Sequence, residues 1–122
     1  MLNRIVWLFA SFLFLVPIHA YGQYTTIEIE DLQVVRSVAA VVHDPTGSPI
    51  SGVLVEEFNS DWKESLRSTK TDTAGGFTFA YVKGRGIYYL QLRMNGFNPL
   101  RVRVKLDPKH GKNLQLKMEV AT

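Results

Sequence analysis

Cysteine is absent from all 122 residues. Disulfides, thiolate metal ligands and cysteine nucleophiles are therefore excluded together, and stability must come from a packed apolar core. Beyond residue 22 there is no long hydrophobic run, and no stretch keeps a 3.6-residue apolar period long enough for a core helix. Internal repeats and low-complexity tracts are missing as well. The His-x-x-Glu pattern of zinc peptidases does not occur, since His43 is followed by Asp44-Pro45-Thr46 and His110 by Gly111-Lys112-Asn113. These two histidines would make a metal pair only if their loops met, and a solvated histidine beside a turn is the commoner case. No metal and no cofactor is expected.

The one long apolar run comes first. Asn3 and Arg4 give a short polar start, residues 5–18 are almost wholly apolar, and Ala20-Tyr21-Gly22 supplies the small residues of a cleavage site. The run is shorter than the roughly 20 residues of a membrane-spanning helix, and Pro17 interrupts it. Residues 1–22 are thus expected to be a signal peptide cut after Gly22 or Ala20, with a membrane anchor as the alternative. The product would be secreted or periplasmic, and not membrane-spanning. Without a cysteine after the run, lipid attachment there is excluded. About 100 residues remain, the size of one domain.

The formal charge is +3, unevenly placed. Glu28, Glu30 and Asp31 make the amino end acidic. Lys83, Arg85, Arg93, Arg101, Arg103, Lys105, Lys109, Lys112 and Lys117 crowd the other half, opposed there by Asp107 and Glu119. Such asymmetry bears on partners, not on fold.

Period-two alternation dominates after residue 33. Residues 23–33 read as an arm, in which Ile27-Glu28-Ile29-Glu30 could add a short edge strand. Residues 34–42 form a first strand, and Val53, Val55 and Phe58 are expected to face inward from a second. Residues 66–71 make a polar edge strand; Phe77, Phe79 and Tyr81 share a face of the next. Tyr88, Leu90, Leu92 and Met94 alternate with Tyr89, Gln91 and Arg93. Leu100, Val102, Val104 and Leu106 alternate with Arg101, Arg103 and Lys105, and Leu114, Leu116, Met118 and Val120 with Gln115, Lys117 and Glu119. About seven strands joined by tight turns predict an all-β antiparallel sandwich of two sheets over residues 34–120. Phe77, Phe79, Leu90, Leu92, Val102, Val104, Leu116 and Met118 should fill its core, and Gly75 or Gly76 should take a positive φ.

Two turn clusters carry a resemblance. Val42, Asp44, Gly47, Pro49, Ile50, Gly52, Val53 and Val55 fit one pattern, and Thr71, Asp72, Gly75, Phe77 and Phe79 fit a second. A third element is Tyr88 and Leu90 followed by Gly96 and Phe97. Together they resemble a carboxypeptidase regulatory-like domain, of the transthyretin-like, carbohydrate-binding-like sandwich superfamily; Ala40 stands where that family has an early glycine. The resemblance implies an accessory domain without catalysis. Transthyretin-like hydrolases share the fold, but their first-strand His and Tyr-Arg-Gly-Ser ending are replaced by Val41 and by Met118-Glu119-Val120-Ala121-Thr122. The Lys of isopeptide-forming adhesin repeats is lacking too, Arg36 being the only basic residue in the first strand.

Two candidate binding features remain, each beside a plainer reading. Arg93, Arg101, Arg103, Lys105 and Lys117 would form one cationic stripe if the last three strands were neighbours; otherwise they are a solubilising charged face. Trp62, in the polar loop 59–65, is either a stacking platform for a sugar ring or a side chain folded back over a sheet edge. The expected function is an exported, non-catalytic module that binds carbohydrate or another cell-surface polymer, an anionic one included. The alternatives are an assembly protein that pairs with another exported protein through sheet edges and, third, the hydrolase. Nucleic acid is not an expected partner.

Overall fold

The computed structural model describes residues 24–122, so the leader expected at residues 1–22 lies outside the described residues. Eight strands and no helix are found among them: β1 (Ile27–Glu28), β2 (Gln33–His43), β3 (Leu54–Phe58), β4 (Ser65–Lys70), β5 (Gly76–Thr78), β6 (Ile87–Arg93), β7 (Leu100–Leu106) and β8 (Lys112–Lys117). Alternation decides which side chains go inside. Tyr88, Leu90 and Leu92 on β6, Leu100, Val102 and Val104 on β7, and Leu114 and Leu116 on β8 are all buried. They meet Val35, Val38, Val42, Val53, Val55, Phe77, Phe79 and Met118 in one core. Burying each such side chain fully is worth about 1.5–3 kcal/mol, which is how a chain without cross-links stays folded. All eight residues expected in the core are there.

The strands follow the order β4-β3-β6-β7-β2-β5, with β1 beside β7 and β8 beside β2. Two expectations need correction. Beyond the short edge strand β1, the expected seven strands are present as β2–β8, but all eight form one continuous sheet and not two, and the pairing is mixed: β2 runs parallel to both β7 and β8, and β1 parallel to β7. Consequently β7 and β8 are not a hairpin. Instead, β7 lies beside Gln33–Val35 and β8 beside the rest of β2, and the connection between them falls opposite Val35. There Asp107 N donates to the Val35 carbonyl, Gly111 N donates to the Asp107 carbonyl, and the chain resumes its direction.

β2 is able to serve both ends because it is long and irregular. Its pairing with β8 shifts between Val35 and Ala40, and Arg36 and Ser37 are exposed in succession, so Val35 and Val38 both point inward. That is a bulge, which adds twist where the sheet must curl. Ala40, replacing the family's glycine, is buried opposite Phe77 and Leu114.

The two turn clusters contact each other. Val42 N donates to the Gly75 carbonyl at 2.8 Å and Ile50 N to the Val42 carbonyl at 3.0 Å. Thr71 is buried between them, its Oγ1 accepting from Val53 N at 2.8 Å and donating to the Ile50 carbonyl at 2.7 Å. Gly75 takes φ +80°, as expected, and a Cβ there would lie 2.5 Å from the Val42 carbonyl oxygen. Two side chains depart from expectation. Phe58 faces outward because Val53, Val55 and Glu57 take the inward positions of the β3 segment. Tyr81 is exposed because β5 ends at Thr78 and the alternation that carries Phe77 and Phe79 inward does not extend to it.

Candidate functional site

The outer faces of β3, β6 and β7 collect the outward residues of three adjoining strands. Registered pairing aligns Glu56 with Gln91 and Gln91 with Arg101; the next row aligns Phe58 with Tyr89 and Tyr89 with Arg103. Trp62 joins this face from the β3–β4 loop. That loop is tied by Asn59, whose Oδ1 accepts from Lys63 N and Glu64 N, and Trp62 itself adopts φ +64°. A positive φ on an aromatic residue is costly, so its surroundings must hold it there. Trp62 meets Tyr89 edge-on at 5.4 Å and Phe58 at 6.2 Å.

Arg101 lies with its guanidinium carbon 4.7 Å from the centre of the Trp62 ring, while its Nε donates to Gln91 Oε1 at 2.8 Å. The two sequence candidates, aromatic and cationic, are therefore parts of one patch. Such stacking is worth about 0.5–1 kcal/mol at an exposed site. Arg101 and Arg103 are half-buried, and Arg103 donates to the Glu30 carbonyl of the amino-terminal arm. Lys105 is exposed at the end of β7. Arg93 pairs with Glu56 at 2.7 Å. Lys117 does not belong to the stripe, because β8 lies against β2; it sits opposite His43 and pairs with Glu119 at 3.2 Å.

A charged group that sequence reasoning missed is Glu57. It is fully buried, and its carboxylate receives Arg67 Nε at 2.6 Å and Arg85 Nη1 at 2.7 Å. Arg67 Nη2 is buried without a hydrogen-bond partner among the described residues, and the guanidinium lies 4.6 Å from the Phe79 ring, whose face offers partial compensation. The signal was present: the period that buries Val53 and Val55 places Glu57 on the same side. This cluster ties β3, β4 and the β5–β6 connection together.

Two carboxylates have lowered pKa values, both in turns away from this patch. Asp44 is held down chiefly by the Thr46 hydroxyl, with backbone N–H donors of the same turn adding to it. Asp107 is held down by the backbone N–H and the charge of His110 and by Lys109 N. They lock loops. Among the described residues no group of three or more His, Asp or Glu side chains is placed to hold a metal ion.

The motif-bearing turns thus face each other across β2 and β5, and the sequence match covers the same region. Residues 37–119 match the family of the carboxypeptidase regulatory-like domain, well over half of the chain. The chain belongs to that family. No curated protein matches it. The regulatory-like domain's matched segment begins inside β2 and ends beyond β8, so β1 and the arm that meets Arg103 lie outside it. Its shared residues, such as Thr71, Asp72 and Gly75, hold turns, whereas Trp62 and Arg101 belong to none of the matched turn patterns.

Proposed function

We propose that this regulatory-like domain is an exported, non-catalytic binding module, secreted or periplasmic, whose β3–β6–β7 face takes an acidic carbohydrate or similar anionic surface polymer. The observation that carries the reading is the position of Arg101 over Trp62, with Arg103 and Lys105 continuing along the same strand. Because a guanidinium already covers a Trp62 face, a neutral sugar ring gains little by stacking there. An anion gains more, since the aromatic ring holds the cation in place and lowers the entropy lost on binding. Membership of the regulatory-like family, an accessory domain, supports a binding role over catalysis.

The experiment is binding to polygalacturonate and to uncharged dextran at rising salt. Polygalacturonate binding is expected to weaken as salt screens charges beyond about 8 Å at physiological strength. Arg101→Ser with Arg103→Ser should abolish it. If Arg101→Ser instead strengthened dextran binding in a salt-independent manner that Trp62→Ala then removed, the uncovered indole would be the platform and the charge-led reading would fail.

A further inference from the structure

At its far end the outer face runs into a cleft of about 530 Å³, within the range of small-ligand pockets. Tyr24 of the arm, Leu54 of β3, and Met94 and Phe97 of the β6–β7 loop give it apolar walls; Lys70 of β4 and Arg93 of β6 bring two cations. The register explains the convergence, since Leu54 is paired with Lys70 on one side and with Arg93 on the other. The wall from the arm is fixed by its own bonds: Gly96 N donates to Tyr24 Oη at 3.3 Å, Thr25 N to Asn98 Oδ1 at 3.0 Å, and Ile27 N to the Pro99 carbonyl at 2.8 Å. Arg93 is neutralised by Glu56, whereas Lys70 has no carboxylate partner among the described residues. The cleft therefore holds one uncompensated positive charge beside aromatic and aliphatic walls.

We propose that this cleft is a second binding site, specific for a small ring that bears one carboxylate. Lys70 takes the carboxylate as a point charge, the outward N–H groups of Arg93 and the Asn95 amide reach the polar edge, and Tyr24 and Phe97 meet the apolar face of the ring. Two sources share that chemistry, a uronic acid and an aromatic acid. The site shares neither Trp62 nor Arg101 with the polymer-binding face, so it stands or falls separately from that reading.

The test is titration of isotope-labelled protein, followed through the backbone amides of Gly52, Asn95, Gly96 and Phe97, with D-glucuronate, benzoate, D-glucose and acetate. Saturable shifts are expected with glucuronate or benzoate, and whichever binds tighter names the source. Glucose and acetate should bind at least tenfold more weakly, because each lacks half of the recognised group. Lys70→Met, on an exposed side chain, should weaken the ring acid at least tenfold with an otherwise unchanged spectrum. Tyr24→Ala should weaken it several-fold, and Arg101→Ser should leave it within twofold. Equal affinity for acetate and the ring acids, no saturable shift with either ring acid, or an unaffected Lys70→Met variant would each overturn the proposal.

Discussion

Glu57 is the one charged side chain among the described residues that is fully buried. Its carboxylate is the shared partner of Arg67 and Arg85, each about one-quarter exposed, while it is itself 1% exposed. Glu57→Gln leaves both guanidiniums without their counter-charge. Breaking a buried pair costs about 3–5 kcal/mol, and the partial exposure of the arginines puts the expectation at the low end, about 3 kcal/mol by urea unfolding. Gly75 is constrained twice over, by φ +80° and by the Val42 carbonyl oxygen. Gly75→Val should lose more than about 1 kcal/mol, and a variant of unchanged melting temperature would contradict this assignment. Asp44 sets a pH dependence. Its pKa is lower in the folded chain than unfolded, so its contribution is complete above the ordinary Asp value of about 3.9 and fades as pH falls through the lower folded value. Asp44→Ala should therefore destabilise the protein at neutral pH, with the difference from the parent shrinking in strong acid.

At the level of elements, β2 decides the architecture. Its bulge between Val35 and Ala40 lets one strand accompany β7 and then β8, and the β7–β8 connection must pass close to it. Gly111 marks the closest approach: a Cβ there would fall 2.2 Å from the Val35 carbonyl carbon, a distance that only a backbone shift could relieve. Gly111→Ala is expected to be more harmful than Gly→Ala substitution at an open turn such as Gly84, where no atom lies within 4 Å of the added Cβ. Comparing the two melting temperatures checks this, and equal losses would mean that backbone conformation and not contact is what matters. In the same way, the β3–β4 loop works as a unit, because Asn59 and Trp62 fix each other through the Trp62 N to Asn59 carbonyl bond of 3.0 Å.

For the molecule as a whole, stability rests on a single core without disulfides, so large-to-small changes at its centre should be felt globally. Phe79→Ala is expected to cost about 3–5 kcal/mol, much of the stability of a domain this size. Part of that loss is electrostatic, since Arg67 stacks on Phe79 while binding Glu57. The Phe79→Ala and Glu57→Gln effects should consequently fail to add, which a double-mutant cycle in urea would detect.

Strand positions, the inward residues of β6, β7 and β8 and the Gly75 turn were legible in the sequence because each depends on local rules. Phe58, at the end of β3, and Tyr81, beyond the end of β5, were not. Period two selects the buried face of β6, β7 and β8, and a positive φ selects glycine. The family was legible for the same reason, since its motif residues serve turns. Partnership was not legible. Nothing in the run from Leu100 to Lys117 announces that β7 and β8 both lie parallel to β2, because register and neighbour choice come from contacts far apart in sequence. That choice removed Lys117 from the cationic stripe. Tertiary structure alone also laid Arg101 across Trp62, 39 positions away, turning two separate candidates into one patch. Alternation fixes which way a side chain points, while the sheet order decides what it meets there.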